Sequence, residues 1–511
     1  MKQLLFFSLL VQFHWAVGQN TLQLDGNHLG AKINRNIYGH FAEHLGNGIY
    51  GGLYVGEKNN TIPNFHGIRT DVIEALKKLK VPVLRWPGGC FADTYHWKDG
   101  IGDKTKRPSI LNVWWGNVKE DNSFGTHEFL ELCNLLQAEP YLSGNVGSGT
   151  VQELSDWVAY INHPNGSSPI TDLRAANGRK DPWKVKFWGI GNEAWGCGGN
   201  MKPEFYANVF RQYVTFLNNG NQPLVRIASG ASDGDYHWTE VLMRDIPHQM
   251  LDAVALHHYS IINWNKKGSA TNFSEEQYFS IMKSALYMEE LVEKHSAIMD
   301  KYDPQKKVAL FVDEWGGWYD VEPGTNPGFL FQQNTLRDAM IAGVTLNIFN
   351  NHCERVKMAN LAQMVNVLQA VILTDKQKII RTPTYHVMEM YNVHQDAMLI
   401  PLEIKSNSYN FQGQTLNAIS ASASKNQEGI THISLVNIDA HSDQIITINL
   451  ANTSLKNITG RILTSNQIQD YNSFDIPDKV SPKAFTKFSV SNQELKVVLP
   501  PFSVVVLKIA Q

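Results

Sequence analysis

Short apolar segments alternate with segments of helical periodicity eight times between residues 36 and 384. These segments are apolar at nearly every position, so neither face of the strand can be exposed to water. Strands that are buried on both faces are typical of a parallel sheet covered by helices. The alternation therefore predicts an α/β fold, a (β/α)8 TIM barrel. A doubly wound open sheet is the alternative, but no glycine-rich phosphate fingerprint supports it. The eight predicted strands span residues 36–41, 81–86, 140–145, 185–191, 226–230, 253–258, 308–313 and 345–350.

The predicted helices and the C-terminal third complete the domain plan, since 511 residues are too many for one ordinary core. The helical patterns cover residues 71–80, 127–137, 151–162, 203–219, 274–302 and 335–343. Short strands at 417–423, 431–436, 444–450 and 494–509 predict an antiparallel β-sandwich. We place the barrel at residues 36–384 and the sandwich at 385–511, and expect a strand within 19–35 to join the sandwich.

Charge and the first residues limit the classes of partner. A net charge of -3 gives no basic surface for nucleic acid. Residues 1–18 resemble a signal peptide, with Lys2, an apolar run and small residues at the end, which predicts export to the periplasm or medium and cleavage near residue 18. Gln12 and His14 interrupt this run, and we expect no membrane span. Four cysteines are too few for a disulfide framework.

Two glutamates follow predicted strands in similar settings. Glu193 lies near the end of the stretch KFWGIGNEAW, and Glu314 lies near the end of VALFVDEWG. In a parallel barrel, the residues that follow the strands meet on one face, where the chemistry takes place. Either glutamate alone could be an ordinary loop residue. Together, they suit glycoside hydrolysis, which needs one carboxyl group as acid and another carboxylate as nucleophile or base.

Other polar side chains also fall at predicted strand ends. Arg85 and Tyr259 could donate hydrogen bonds that keep Glu314 ionised, although each could also be an ordinary buried polar residue. Asn192 is suited to the sugar 2-hydroxyl, a contact that strengthens in the transition state of glycoside hydrolysis. Glu43 is a candidate acceptor for other sugar hydroxyls.

Two other functions compete with hydrolysis of a glycoside. Residues 40–44, HFAEH, fit the H-x-x-E-H pattern of some zinc peptidases. That site needs both histidines on one face of a helix, and the glycines at 39, 46 and 48 argue against a helix here. A non-catalytic sugar-binding module would explain the many aromatic residues. It would not explain carboxylates at the ends of two separate strands.

Several stretches resemble the α-L-arabinofuranosidases of glycoside hydrolase family 51. The resemblance covers nearly the whole chain and is carried by residues 41–46 (FAEHLG), 84–89 (LRWPGG), 188–193 (WGIGNE), 313–315 (DEW) and 362–366 (AQMVN). It implies a barrel followed by a β-sandwich, with Glu193 as the acid/base and Glu314 as the nucleophile. It also implies that the arabinose subsite is lined by Glu43, Cys90, Trp115, Asn192, Tyr259 and Gln363.

The resemblance further implies an exo-acting, retaining enzyme that releases arabinose from arabinan or arabinoxylan fragments, with no metal or organic cofactor. Hexamers are common in the family, so a homo-oligomer is possible. Cys90 stands where some relatives carry Asn, which puts its contact with the sugar in doubt. Because the family also includes endoglucanases, an endo-β-glucanase or another β-glycosidase on the same barrel is the alternative function.

Overall fold

Eight parallel strands form a closed barrel, as the sequence predicts. The computed structural model describes residues 20–510. Each strand pairs with the next in the chain, and the last pairs with the first. The barrel strands are Gly39–Phe41, Val83–Trp86, Glu139–Gly144, Phe187–Ile190, Val225–Ser232, Ala253–Ser260, Ala309–Gly317 and Val356–Ala362.

The eighth barrel strand is not at residues 345–350, where we predicted it. Those residues belong to the helix Leu336–Asn351, and the strand is Val356–Ala362. Residues 336–350 are all buried, because barrel and sandwich pack against different sides of this helix. The sequence predicts a helix only for the first part, residues 335–343. A helix that is buried all round has no polar face, so residues 345–350 cannot be distinguished from a buried strand by periodicity.

The other helices surround the barrel or join it to the C-terminal domain. Their ends follow ordinary capping rules: Ser274 caps the longest helix, accepting a hydrogen bond from the backbone N–H of Gln277. The helix Tyr236–Asp245, between the fifth and sixth barrel strands, was not predicted. The remaining α-helices are Thr70–Leu79, Thr126–Leu136, Val151–Asn162, Pro169–Ala176, Pro203–Thr215, Glu275–Tyr302 and Pro383–Tyr391. No helix within residues 20–510 is long and apolar enough to cross a membrane.

A small apolar cluster fills the lower part of the barrel. Val83, Tyr141, Phe187, Phe311 and Met358 contribute to it from five different strands, and all are buried. Because apolar side chains occupy this end, the polar side chains collect above them at the carboxyl ends of the strands.

The C-terminal region forms two sheets. One contains Leu402–Lys405, Asn20–Asp25, Gln444–Ala451, Glu494–Leu499 and Phe488–Ser491. The other contains Met398–Leu399, Ile419–Lys425, Thr431–Asn437, Ser503–Ile509, Ile458–Leu463 and Lys483–Ala484. Asn20–Asp25 pairs parallel with Gln444–Ala451 and antiparallel with Leu402–Lys405, while the other pairs in both sheets are antiparallel. The remaining strands form four hairpins: Asn64–Phe65 with Ile68–Arg69, Ile110–Asn112 with Val118–Glu120, Ile372–Asp375 with Lys378–Arg381, and Ser408–Phe411 with Gln414–Asn417.

Candidate active site

One cavity at the carboxyl ends of the barrel strands contains almost every site residue that the sequence singled out. Its volume is about 370 Å³. Arg85 lies against it and is 1 % exposed. The predicted residues that line the cavity are Glu43, Cys90, Trp115, Asn192, Glu193, Tyr259, Glu314 and Gln363.

A β-bulge brings two consecutive carboxylates into the barrel. Successive residues of a regular strand point to opposite faces, yet Asp313 and Glu314 both bond to groups inside the barrel. The register with the preceding strand shifts here, since Ala255 lies opposite Phe311 whereas His257 lies opposite Glu314. The extra residue turns the strand locally and aims both carboxylates inward.

Glu314 is held by two donors from other strands. Arg85 Nη1 donates to Glu314 Oε1 at 2.7 Å, and the Tyr259 hydroxyl donates to Oε2 at 2.8 Å. Arg85 Nη2 also donates to Asn192 Oδ1 at 2.6 Å, so the same guanidinium fixes the asparagine beside Glu193. Charge-assisted hydrogen bonds of this length stabilise a carboxylate in a fixed orientation.

Glu193 lies on a sharp turn after the fourth barrel strand. Gly191 and Glu193 both have backbone φ in the left-handed region, at 83° and 38°, which is strained for the glutamate. Burial raises the pKa of Glu193, and Glu314 raises it further, while the hydrogen bond with His257 acts in the opposite direction. A carboxyl group with a raised pKa is suited to donate a proton near neutral pH.

The two glutamates lie close together across the cavity. One carboxylate oxygen of each, together with a ring nitrogen of His257, lies within 4.8 Å of the other two atoms. His257 Nδ1 is 2.9 Å from Glu193 Oε1 and 3.5 Å from Glu314 Oε2. His257 therefore connects the two carboxyl groups that the sequence analysis identified.

Asp313 and His257 belong to the site, although we assigned neither a role from the sequence. Asp313 accepts a hydrogen bond from the Tyr141 hydroxyl at 2.6 Å and lies 3.0 Å from His257 Nε2. Burial opposes ionisation of Asp313, but Arg85, His257 and Tyr141 outweigh it and lower its pKa. The sequence signals were the pairs at residues 257–258 and 313–314, but their orientation depends on the bulge, which the sequence does not reveal.

Glu43 lines the same cavity as these groups. Its Oε1 accepts from the backbone N–H of Gly89 and Phe91 and from Trp115 Nε1, at 2.9–3.1 Å. Its Oε2 accepts from Gln363 Nε2 at 3.1 Å. Burial raises the pKa of Glu43 to about 7, with a further contribution from Glu314. Four donors thus fix this carboxyl group in the cavity wall.

The sequence analysis assigned no role to Asp93. Its carboxylate binds backbone N–H groups and does not line the cavity. It accepts hydrogen bonds from the N–H groups of Val146, Gly147 and Asn192 at 2.8–3.0 Å. Burial raises its pKa to about 7, although these three bonds lower it. Asp93 therefore ties the Asn192 turn to the loop that follows the third barrel strand.

A disulfide joins Cys90 to Cys197, a pairing that sequence reasoning did not find. Cys90 lies in the short 3-10 helix Cys90–Thr94, and Cys197 lies four residues after Glu193. The bridge connects the loops that follow the second and fourth barrel strands. Cys197 Sγ is 3.5 Å from Glu193 Oε2, so the disulfide lies against the acid candidate. Cys133 and Cys353 are free and buried.

The residues of the H-x-x-E-H motif do not have the zinc-site arrangement. His40 lies in the strand Gly39–Phe41, not on a helix. Burial lowers the pKa of His40 to about 3. His44 Nε2 accepts from Trp86 Nε1 at 3.1 Å, and its ring stacks on Phe91. Glu43 is occupied by the four donors described above.

The mouth of the cavity has an aromatic rim that the sequence analysis did not identify. Trp195, Trp264 and Trp318 line it together with Asp233. The Trp264 side chain is half exposed, and its ring meets that of Trp318 edge to face, with centroids 5.4 Å apart. Aromatic faces of this kind suit the apolar faces of sugar rings.

Comparison with known proteins agrees with this arrangement. A family model described as Alpha-L-arabinofuranosidase 1 domain matches residues 75–277, and one described as Alpha-L-arabinofuranosidase C-terminal domain matches residues 313–503. An intracellular exo-alpha-L-arabinofuranosidase from Bacteroides ovatus is 53% identical over 481 residues, covering 93% of each chain.

Solved structures give the same result. The GH51 arabinofuranosidase from Xanthomonas axonopodis pv. citri matches with a TM-score of 0.94 and 47% identity, covering 96% of this chain and 100% of that one. An α-L-arabinofuranosidase from Thermotoga maritima, solved as an arabinose complex, matches with a TM-score of 0.85 and 30% identity, covering 96% and 99%.

The prediction of export is wrong. The Bacteroides ovatus relative is described as intracellular, which contradicts export of this chain. Residues 1–18, on which that prediction rested, lie outside the described residues. Their apolar run is interrupted by Gln12 and His14 and is a weak basis for export. The shared domains, the identity along most of the chain and the common fold lead to one conclusion: the protein is a glycoside hydrolase and belongs to family 51, the α-L-arabinofuranosidases.

Proposed function

We propose that the enzyme is an exo-acting, retaining α-L-arabinofuranosidase that releases arabinose from arabinan or arabinoxylan oligosaccharides. The observation that carries the retaining mechanism is the spacing of Glu193 and Glu314, which have carboxylate oxygens within 4.8 Å of each other. Retaining pairs lie about 5–5.5 Å apart, whereas inverting pairs lie roughly 6.5–9.5 Å apart to admit a water molecule.

In the first step, Glu314 is the nucleophile. Its carboxylate forms a bond to the anomeric carbon while the bond from that carbon to the glycosidic oxygen breaks. Glu193 gives its proton to the departing oxygen, so the leaving group departs as an alcohol. Arg85 and Tyr259 hold Glu314 in one orientation, which reduces the entropy cost of the attack.

In the second step, Glu193 acts as a base. It takes a proton from water, the water oxygen bonds to the anomeric carbon, and the ester bond to Glu314 breaks. Glu193 and Glu314 then return to their initial protonation states. Asn192, oriented by Arg85, is placed to bond the sugar 2-hydroxyl, whose hydrogen bonds strengthen in both transition states.

The lining of the cavity supports exo action. Trp115 and Gln363 both donate hydrogen bonds to Glu43 in the cavity wall. We expect these three side chains to enclose a terminal sugar ring. A cavity of about 370 Å³ is also at the small end of ligand sites, which suits one ring and part of the next.

Proton NMR during early hydrolysis of an aryl α-L-arabinofuranoside tests this proposal. The first free arabinofuranose should have the α configuration, observed before mutarotation. If the β anomer appeared first, the retaining mechanism would be wrong. Hydrolysis of aryl β-glucoside, aryl β-xyloside and soluble cellulose is measured in parallel for comparison. Activity on cellulose alone would favour the endo-β-glucanase alternative.

A further inference from the structure

We propose that His257 is a positioning residue that remains a cation throughout the reaction. In this role it determines which oxygen of Glu193 carries the acidic proton, and it stabilises Glu193 after that proton has left. The inference rests on the proposed role of Glu193 as acid/base.

Both ring nitrogens of His257 face carboxylate oxygens. Nε2 lies 3.0 Å from Asp313 Oδ1, and Nδ1 lies 2.9 Å from Glu193 Oε1 and 3.5 Å from Glu314 Oε2. Asp313 has a lowered pKa and bonds to Tyr141, so Nε2 must carry a hydrogen to donate to it. A neutral ring would then turn the lone pair of Nδ1 toward the ionised oxygen of Glu314, 3.5 Å away, which is unfavourable. A ring that is protonated at both nitrogens satisfies both contacts.

The balance of charges in the buried cluster also indicates that His257 is protonated at both ring nitrogens. Arg85 and a cationic His257 balance Asp313 and Glu314, which leaves Glu193 neutral and ready to act as an acid. Burial lowers the pKa of His257, but Glu314, Asp313 and Glu193 outweigh it and raise the pKa to about 10.

Two other titratable groups stand next to this histidine. The backbone N–H of Asp233 donates to the carbonyl oxygen of His257. The Asp233 carboxylate pairs with His258, so it does not compete for the ring of His257. The groups that face the imidazole are therefore the three carboxylates described above.

This arrangement specifies the proton on Glu193. Oε1 already accepts from His257 Nδ1, so the acidic hydrogen must lie on Oε2. The sulfur near Oε2 is Cys197 Sγ, which has no hydrogen to donate because it is disulfide-bonded. When the proton on Oε2 passes to the leaving oxygen, the new carboxylate lies 2.9 Å from a fixed cation. In the second step the proton from water returns to Oε2, and His257 keeps both of its protons.

Two variants test whether His257 acts through its positive charge or only by filling space. His257→Asn keeps a neutral donor, and His257→Ala removes it. Without the cation the pKa of Glu193 should rise, so the alkaline limb of kcat/KM should move up by about one pH unit. As a weaker acid, Glu193 should lose about 10- to 100-fold in kcat on poor leaving groups, and much less on activated aryl arabinofuranosides. An unmoved alkaline limb would overturn the proposal.

Added heterocycles sharpen the test in His257→Ala. Imidazole should restore part of the lost activity on poor leaving groups, because it can enter as a cation. Pyrazole has the same size but stays neutral, and it should not restore activity. Equal restoration by both rings would mean that His257 only fills space. The matched control is His352→Asn, which removes another histidine paired with a glutamate, Glu289, on the outside of the barrel. That variant should leave the pH profile unchanged.

Failure of this inference can be distinguished from failure of the proposed function. Glu193→Ala with azide tests the acid/base role without altering His257. If azide restores turnover there but the His257 variants lose activity equally on all leaving groups, only the histidine proposal is wrong. If neither variant melts cooperatively, 15N-histidine NMR of the wild type decides. A histidine with two N–H protons at pH 8 that persists in His352→Asn supports the proposal, and its absence overturns it.

Discussion

Two buried polar regions of the protein differ in one respect, which is charge. The first lies under the active site, where Arg85, His257, Asp313 and Glu314 form a network of ion pairs. The second lies where the helix Leu336–Asn351 meets the sandwich.

In this second region the side chains that bond the helix to the sandwich are neutral. Asn350 donates to Ser422 Oγ at 3.1 Å, and Ser422 donates to Asn347 Oδ1 at 2.8 Å. Asn347 then donates to Ser420 Oγ at 3.1 Å. Both regions are well bonded, but only the first contains groups that can change protonation state.

This difference in charge indicates different roles: the charged region serves catalysis, and the neutral region holds the helix against the sandwich. Burying charges is costly even when they are paired, so a charged cluster is weak evidence for stability and points to another purpose. Neutral hydrogen bonds contribute about 1 kcal/mol each and fix how two surfaces dock. Substitutions in the first region should therefore change rates, and substitutions in the second should change the free energy of unfolding.

The largest effect should come from Glu314→Ala, which breaks the charged region at its centre. Without a nucleophile no covalent intermediate forms, and turnover should fall by at least about 10⁴-fold even on activated substrates. The protein should still fold, since Arg85 retains Asp313 and Asn192 as partners. Steady-state kinetics and a thermal melt measure the two properties. Glu354→Ala, an exposed carboxylate on the outer surface, is the control. Substantial turnover in Glu314→Ala would refute its role.

Glu193→Ala should have the next largest effect, and it should depend on the leaving group. Poor leaving groups should lose about 10²- to 10⁴-fold in kcat, while activated aryl arabinofuranosides still form the glycosyl-enzyme, which then breaks down slowly. Azide, which needs no base, should partly restore turnover. The wild type should lose kcat/KM as the pH rises through the raised pKa of Glu193, because the protonated form is the active one. The variant should lack that limb. Equal losses on all leaving groups without an azide effect would argue against this role.

Asn350→Ala breaks the neutral region instead. It removes the acceptor of the buried Tyr38 hydroxyl, which donates to Asn350 Oδ1 at 2.8 Å, and it removes a donor to Ser422. The unpaired hydroxyl should lower the free energy of unfolding by about 1–3 kcal/mol, measured by urea denaturation, with kcat/KM unchanged. Ser420→Ala is the control, since this half-buried hydroxyl can be replaced by water and its loss should cost less. A reduced kcat/KM in Asn350→Ala would mean that the two regions are coupled.

The sequence predicts these two regions unequally. Strand ends can be located from apolar runs followed by polar residues, so the sequence singles out Glu193, Glu314, Glu43 and Asn192, all of which line the cavity. Asp313 and His257 were not assigned, because a bulge decides which face of a strand a side chain occupies, and no residue pattern specifies that bulge.

The domain junction could not be predicted for a different reason. The sequence predicts a helix over residues 335–343 but a strand over 345–350, because the helix that ends at Asn351 is covered on all sides and its later residues show no polar face. The Cys90–Cys197 bridge joins residues that are 107 positions apart. It depends on how two loops converge at the barrel mouth, which is a property of the closed fold and not of either loop.

The smallest effect should come from a chelator, which should leave kcat/KM unchanged. Arg85 supplies positive charge beside the carboxylates, and we propose the same for His257, so we expect the chemistry to need no metal ion. The carboxylate of Glu43 is occupied by four donors, and His40 lies on a strand. Prolonged dialysis against EDTA, followed by an assay with and without added zinc, tests this. If activity were lost on chelation and recovered with zinc, the positive charges of Arg85 and His257 would not be sufficient for catalysis. A zinc site at the H-x-x-E-H motif, residues 40–44, would then have to be reconsidered.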